Sequence, residues 1–175
     1  MNIGFIGTGH ISSSVIEGIL KSNLTIKKIY ISPRNQLIAK KLRKKFKKVN
    51  IAKHNQQVID MSDWVFLAIT PLVGENILRN LYFKKKHKII SFISTIDLQV
   101  LKQYTANDNI TRVLPLPFIG IKKGPIIICP PDKKARSFFK QLGKVIEVKN
   151  ENISKNFWAT SSFMAPFYEM LTVKS

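Results

Sequence analysis

The chain has 175 residues, of which 45% are apolar, and its 29 basic against 10 acidic side chains give a formal net charge of +19 at pH 7. That size and apolar content predict one globular domain with a hydrophobic core and exclude a disordered polymer. No apolar run approaches the roughly 20 residues that a membrane helix needs, so we expect no membrane span.

Localisation is predicted from the N-terminus and from the cysteine content. Met1 leads directly into an apolar strand, without the basic segment that opens a secretory signal. The single cysteine, Cys129, has no partner for a disulfide and ends an apolar run. This favours a buried thiol over a catalytic nucleophile, and we expect a cytoplasmic protein.

The chain opens on a strand, a glycine turn and an amphipathic helical pattern. Residues 3–6 are apolar, and Gly7 and Gly9 follow one residue apart. This order is typical of a dinucleotide-binding fingerprint, in which Gly7 permits the sharp turn and Gly9 lets a pyrophosphate approach the helix N-terminus. Ser12 replaces the third glycine and is small enough for close helix–strand packing. The alternative is an ordinary turn that needs glycine only for its backbone angles.

Short apolar runs and helical patterns alternate along the rest of the chain. Strands are predicted over residues 26–32, 49–51, 64–69, 88–92, 111–114, 125–128 and 144–148. Helices are predicted over residues 33–46, 55–61, 73–81, 98–104, 133–142 and 154–172. The alternation predicts an α/β, Rossmann-like, doubly wound and mostly parallel sheet, with ligands beyond the carboxyl ends of its strands.

The residues after the second predicted strand indicate which nicotinamide cofactor is preferred. NAD sites usually carry an acidic residue here, and this chain has Ser32, Arg34 and Asn35 instead. These side chains can bind a 2′-phosphate, and the planar fork of Arg34 suits that group. The pattern favours NADP. The alternative is a Ser-Pro helix start followed by an exposed arginine.

A lysine-rich segment over residues 40–48 has two interpretations. Ile38, Leu42, Phe46 and Val49 form an apolar stripe on one helical face, so the lysines are expected on the solvated face of a packed helix. Nucleic-acid binding is the competing interpretation. It is disfavoured, because no aromatic side chains are interleaved with the lysines and no recognised nucleic-acid motif is present.

Metal-dependent and hydrolytic chemistry is not indicated. His10, His54 and His87 are not at metal-ligand spacing, so no metal site is expected. The serines after the glycine turn lack a nucleophile-elbow motif, which disfavours a hydrolase. His10 lies in the turn, where it can donate to a phosphate or simply face solvent.

Several stretches, taken in order, resemble the pyrroline-5-carboxylate reductase family. The matching residues are 3–11 and 16–20 at the start, then 62–71, 90–95, 112–115 and Gly124. The resemblance covers nearly the whole chain. It implies a Rossmann-like cofactor domain over 1-150 and, over 151-175, the truncated start of a helical dimerisation domain.

The resemblance further implies an NADPH-dependent reductase that transfers hydride to the C=N bond of 1-pyrroline-5-carboxylate and forms proline. Asn55 would then bind the adenosine ribose, and Ala68 and Thr70 would offer backbone groups. The cofactor contacts carried over from the family are Ile6, Gly7, Thr8, Gly9, His10, Ile11, Ser32, Arg34, Asn55, Ala68, Ile69, Thr70, Pro71, Ser94 and Thr95.

Three departures from the family pattern bear on activity. Thr70 replaces a lysine, Ser94-Thr95 replaces Ala-Gly, and Leu116 stands where the family has an asparagine. The chain also ends within the first helix of the dimerisation domain. The rival hypothesis is therefore a non-catalytic NADP-binding or interaction protein that kept the fold and lost the substrate site.

The C-terminal helical pattern is too apolar for a lone helix in water. Its apolar residues are Phe157, Trp158, Phe163, Met164, Phe167, Tyr168 and Leu171. Exposed patches of this kind usually mark an interface. We expect a homo-oligomer formed through this helix; the alternative is that the segment belongs to a longer protein. Ser161 and Ser162 are expected to pack within the helix rather than face a substrate.

Overall fold

The computed structural model describes residues 1–162, and these contain one eight-stranded sheet. Its order is β3-β2-β1-β4-β5-β6-β7-β8. The strands are β1 (Ile3–Ile6), β2 (Ile29–Ile31), β3 (Val49–Ile51), β4 (Trp64–Leu67), β5 (Lys88–Ser91), β6 (Ile110–Pro115), β7 (Pro125–Cys129) and β8 (Lys144–Glu147). Strands β1 to β6 run parallel, and β7 and β8 run opposite to them. The predicted doubly wound, mostly parallel sheet is confirmed.

The helices occupy the segments between strands, as the alternation predicts. They are α1 (His10–Leu20), α2 (Gln36–Lys45), α3 (Asn55–Asp60), α4 (Pro71–Arg79), α5 (Leu98–Thr105), α6 (Lys133–Phe139) and α7 (Glu151–Ser162). Helix α2 was predicted to begin at Pro33 and begins three residues later. The reason is a cap: the Asn35 side chain accepts a hydrogen bond from Ile38 N at 3.2 Å.

The inner strands are buried on both faces, which explains their largely apolar runs, whereas the edge strands β3 and β8 are only partly buried. Phe5, Phe66 and Ile90 belong to one apolar cluster, whereas Ile6 and Val65 belong to another. The Phe5 and Phe66 rings stack with centroids 4.6 Å apart. Successive residues of a strand point to opposite faces, so each strand contributes to both clusters.

A 3₁₀ helix over Pro117–Ile121 was not predicted from the sequence. It packs closely against α1, where a Cβ on Gly18 would lie only 2.4 Å from the carbonyl oxygen of Ile119. Ile119 is fully buried. The segment after β6 is therefore fixed to the first helix rather than forming a free loop.

The lysine-rich helix α2 has the predicted orientation. Ala39 and Leu42 are buried, and Ile38 and Phe46 pack against the core. The lysines of α2 are exposed. The prediction that they form the solvated face of a packed helix is confirmed.

Lys88, at the start of β5, is buried, which the sequence did not indicate. Its Nζ donates to Asp132 Oδ2 at 2.7 Å and to Thr111 Oγ1 at 2.8 Å. Burial lowers the pKa of Lys88, and Asp132 opposes that shift. Burial alone would raise the pKa of Asp132, but the hydrogen bond from Ala135 N and the contact with Lys88 outweigh it and hold that pKa below its usual range.

We expect the Asp132–Lys88 contact to contribute stability that is lost in acid. Because its pKa is depressed in the folded state, the Asp132 carboxylate stabilises the fold at pH values above its unfolded pKa of about 3.9. This contribution disappears as the pH falls through the folded pKa. Asp132→Asn should therefore lower the free energy of unfolding by up to about 3 kcal/mol at neutral pH. Urea unfolding at pH values from 7 into the acid range should show that the difference in unfolding free energy between this variant and wild type becomes smaller. The exposed Asp60→Asn is the control, and a gap independent of pH would contradict the assignment.

Candidate functional site

The first glycine of the N-terminal turn is required by the fold. Gly7 has a φ of +99°, a conformation that side chains rarely adopt, and a Cβ there would lie 2.3 Å from the carbonyl oxygen of Ala68. The turn thus presses against the end of β4. Ser12 Oγ closes it from the helix side by donating to Gly7 O at 2.7 Å.

The second glycine is not required by packing. A Cβ on Gly9 would meet no heavy atom within 4 Å beyond its own neighbours and the backbone of its helix. Gly9 is also the N-cap of α1, it has a φ of −112°, and no side chain caps that helix end. The backbone N–H groups at the start of α1 therefore face open space, which is the geometry of an anion site.

Ser32 supports the turn from beneath. Its hydroxyl accepts from Gly7 N at 3.0 Å and lies 2.7 Å from Asn55 Oδ1. The Ser32 carbonyl accepts from Thr8 Oγ1 at 2.8 Å. Ser32 is only 2% exposed, so its hydroxyl is engaged within the protein. It connects the ends of β1 and β2 with the start of α3.

A cleft of 520 Å³ lies along the carboxyl ends of β2, β1 and β4. It is lined by Gly7, Thr8, Gly9, Ser32, Arg34, Asn35, Gln36, Asn55, Ala68, Ile69, Thr70 and Ile77. This position contains the switch point between β1 and β4, where the order of the strands reverses. No carboxylate is present among these lining residues.

Arg34 lies at the β2 end of the cleft with its guanidinium unengaged. It is exposed, and within residues 1–162 no hydrogen bond or ion pair involves its side chain. Neighbouring Asn35 caps α2 through its side-chain oxygen. The arrangement leaves a cation and amide donors facing a cleft without acidic groups.

Six predicted contacts do not line this cleft. Ile6 is fully buried in the core, Ile11 packs partly against it, and His10 is exposed at the start of α1. The other three lie elsewhere: Thr95 and Pro71 border a separate cavity of 260 Å³, and the carbonyl of Ser94 is held by a buried arginine. The sequence-predicted set is thus brought together from Gly7 to Gly9, at residues 32 and 34, at Asn55, and from Ala68 to Thr70.

The arginine that holds Ser94 is Arg112, on β6, and its side chain is only 1% exposed. Its Nη2 donates to Ser94 O at 2.6 Å and to Ile93 O at 3.3 Å, and its Nη1 contacts Glu151. The nearest oxygen of Asp97 is 4.0 Å away. Arg112 therefore fixes the loop after β5 against the start of α7. Two sequence signals pointed to Arg112: it is a charged residue inside a predicted strand, and it opens the stretch 112–115 that resembles the family.

We expect Glu151→Ala to lower the free energy of unfolding by about 3 kcal/mol, because Arg112 would keep its burial and lose its closest carboxylate. Urea unfolding measures this. Lys155→Ala is the control, since the pair of Lys155 with Asp97 is nearly half exposed and should contribute less than about 1 kcal/mol. If the Glu151 variant were as stable as wild type, the Glu151 carboxylate would not be stabilising the buried charge of Arg112.

An apolar cavity of 160 Å³ lies between β6, β7 and α7. Leu114, Leu116, Ile127 and Phe157 line it. Ser161 Oγ donates to Trp158 O at 2.8 Å, and Ser161 also borders this cavity, so its predicted packing within the helix stays a prediction. The predicted interface residues Phe163, Met164, Phe167, Tyr168 and Leu171 lie outside the described residues.

Cys129 is 3% exposed, and burial raises the pKa of its thiol, which confirms a buried rather than a nucleophilic cysteine. Within residues 1–162, no group of three His, Cys, Asp or Glu side chains is placed to bind a metal ion. None of the helices described is both long and apolar enough to cross a bilayer.

A sequence model of the family described as NADP oxidoreductase, coenzyme F420-dependent, matches residues 2–96. That match spans more than half of the chain and includes the glycine turn and the whole lining of the cleft. The chain belongs to this family. The matched segment ends at residue 96, in the loop between β5 and α5.

The chain is also similar to individual proteins of known sequence. The chain is 29% identical over 125 residues to ComE operon protein 4 of Bacillus subtilis, covering 66% of this chain and 43% of that protein. It is 26% identical to pyrroline-5-carboxylate reductase 3 of Xenopus laevis, covering 95% of this chain and 64% of that protein. The chain thus spans about half to two thirds of the length of these relatives. The predicted resemblance to the pyrroline-5-carboxylate reductase family is confirmed.

A solved structure shows the same fold. Pyrroline carboxylate reductase of Plasmodium falciparum, solved with NADP bound, superposes with a TM-score of 0.77 at 20% identity. The superposition covers 99% of this chain and 66% of that one.

Proposed function

We propose that the chain is the cofactor-binding part of an NADPH-dependent reductase that transfers hydride to the C=N bond of 1-pyrroline-5-carboxylate and forms proline. The observation that carries the proposal is the open space above Gly9 at an uncapped helix N-terminus. The family match and the reductases among the relatives support the same reading.

The residues present fit an NADP molecule. The uncapped N-terminus of α1 suits the pyrophosphate, since free N–H groups and the helix dipole both favour negative charge. Arg34 suits the 2′-phosphate, because its planar fork pairs with phosphate oxygens and no acid in the cleft lining competes for it. Asn55 keeps its amide N–H groups for a ribose hydroxyl, since its Oδ1 lies against Ser32.

The chemistry itself comes from the cofactor: bound NADPH supplies the hydride. The contribution of the chain is position. Gly7 and Ala68 fix the turn against β4, and Arg112 holds the loop carrying Ser94 and Thr95 beside the sheet edge. A rigid edge of this kind orients a cofactor relative to a substrate, which is what hydride transfer needs from the protein.

The proposal also assigns the two domains of the chain, its oligomeric state and its location in the cell. We place the cofactor domain in residues 1–150 and the start of a helical dimerisation domain in residues 151–175, so that a second copy would complete the site for the imine substrate. The apolar cavity under α7 and the exposed Ile153 and Phe157 support an interface there. The single buried cysteine supports a cytoplasmic location.

The test is NADPH oxidation by the purified chain with 1-pyrroline-5-carboxylate, followed at the nicotinamide absorbance band together with proline formation. We expect turnover that depends on protein concentration, as a site shared between two copies requires. NADPH binding without turnover at any protein concentration would instead support a non-catalytic cofactor-binding protein. Absence of both binding and turnover in a folded sample would overturn the proposal.

A further inference from the structure

The amino-terminal edge of the sheet concentrates positive charge on the side opposite the cleft. Lysines precede three of the parallel strands, directly at β2 and β3 and one residue earlier at β5, where His87 intervenes: Lys27, Lys28, Lys47, Lys48, Lys84, Lys85 and Lys86. All seven, called here the amino-edge lysines, are exposed, and none forms an ion pair with any residue of the described chain.

Strand pairing arranges these lysines as two clusters. Ile29 N donates to Lys48 O at 2.9 Å and Ile3 N donates to Lys28 O at 3.0 Å, so the starts of β2 and β3 lie side by side. Lys27, Lys28, Lys47 and Lys48 form the first cluster. The second, residues 84–86, precedes β5, which is three strand positions from β2 or roughly 14 Å across the sheet.

Within the described chain, no lysine or arginine lies in the stretch between the clusters. It is formed by the starts of β1 and β4, where the Asp63 carboxylate accepts a hydrogen bond from Asn2 N at 2.8 Å. Asp60, the nearby exposed acid, accepts from Gln56 Nε2 at 3.0 Å. Neither carboxylate forms an ion pair with an amino-edge lysine in the described chain.

The sequence disfavoured nucleic-acid binding by residues 40–48, but the fold places Lys47 and Lys48 beside Lys27 and Lys28. We infer that the amino-edge lysines bind the phosphate backbones of a nucleic-acid duplex. Two cationic clusters roughly 14 Å apart match two backbones that border a groove about 12 Å wide. Lysine binds phosphate as a point charge and does not read base edges in a fixed geometry, so binding should be independent of sequence. The surface is separate from the cleft and does not depend on NADPH.

The observations favour a duplex over two other polyanions. Single-strand binders stack bases on aromatic side chains, and on this edge the described chain offers one exposed aromatic ring, Tyr82. Membrane-surface binders combine basic charge with apolar anchors. Ile29 and Val49, which follow the first cluster, are fully buried. The exposed apolar side chains of this edge, Met61 and Tyr82, lie outside the helices, so the described chain forms no amphipathic membrane-binding helix here.

The test compares two variants of equal charge. One, K27Q/K28Q/K47Q/K48Q, removes the first cluster. The other, K122Q/K123Q/K140Q/K144Q, removes four exposed lysines that also lie near one another, around a cavity at Gly124 and Gly143. Fluorescence anisotropy with a labelled duplex of about 20 base pairs is measured between about 50 and about 200 mM salt. Thermal unfolding confirms that both variants are folded.

We expect wild-type binding to weaken steeply with salt, because each phosphate contact contributes about 0.9 to the log–log slope. The first variant should lose affinity by about tenfold or more and reduce the slope by about 3. The control variant should stay within about twofold of wild type. Equal losses in both variants would show that net charge alone binds the duplex, and would overturn the inference. So would absence of duplex binding at the lowest salt, or binding to anionic lipid vesicles without binding to the duplex.

Discussion

Replacing Gly9 by alanine is expected to weaken NADPH binding by about tenfold or more while changing the free energy of unfolding by less than about 1 kcal/mol. The reason is that the added Cβ meets no protein atom within 4 Å and the φ of −112° suits any residue. The methyl group instead occupies space that the pyrophosphate needs. Fluorescence titration with NADPH and urea unfolding measure the two quantities.

Gly7→Ala serves as the contrast to this variant. Its Cβ would lie 2.3 Å from Ala68 O, in a backbone conformation with φ of +99°. We expect a loss of at least about 2 kcal/mol in unfolding free energy, because strain and overlap add. If Gly9→Ala bound NADPH as tightly as wild type, the cofactor would not approach the backbone at this turn.

Replacing Arg34 by alanine is expected to weaken NADPH binding by about 10- to 100-fold and to leave NADH binding within about twofold. A hydrogen bond to a charged group contributes about 1.5–3 kcal/mol, and about 1.4 kcal/mol corresponds to a factor of ten. The two cofactors differ only in the 2′-phosphate, so the ratio of their dissociation constants isolates the contact. Arg34 has no other partner in the described structure whose loss would confuse the result.

Arg43→Ala is the matched control for Arg34. This substitution removes an arginine side chain and its charge from α2, and Arg43 does not line the cleft. It should leave both cofactor affinities within about twofold of wild type, since an exposed charge at a distance is largely screened. If wild type preferred NADH, or if both arginine variants shifted the preference equally, Arg34 would not be the specificity residue.

Element order was predictable because most strands are buried on both faces and so appear as short, largely apolar runs. The regular alternation of these runs with helical patterns then fixed the fold class. Boundaries were less accurate where a side chain, rather than periodicity, sets the end, as at the Asn35 cap of α2. The 3₁₀ helix was missed because it is held by packing between Gly18 and the Ile119 carbonyl, which no local pattern encodes.

Within the site, sequence placed the glycine turn and Arg34 at the correct sheet edge, since both follow parallel strands. It did not show that Ser32 is buried beneath the turn, because that depends on hydrogen bonds to Gly7 and Asn55. The sequence also did not show that Ser94 and Thr95 lie outside the lining of the cleft. Their position depends on where α5 and the end of β5 direct the loop.

The burial of two cationic side chains was not predicted from the sequence. Lys88 and Arg112 are compensated by carboxylates 44 and 39 residues away along the chain. A charged side chain inside a strand is usually expected at a surface, and burial becomes acceptable only when a partner is supplied by tertiary structure. Sequence shows the charge but not the partner.

NADPH binding at the carboxyl edge of the sheet can be observed residue by residue through amide chemical-shift mapping. The 175-residue chain, labelled with ¹⁵N, is titrated with NADPH at physiological salt. We expect shift changes that cluster at Gly9, Arg34, Asn55 and the Ala68–Thr70 segment, and that saturate. Changes confined to the amino-edge lysines, or spread over exposed lysines without saturation, would contradict binding at this edge, because NADPH would then be binding as a simple polyanion.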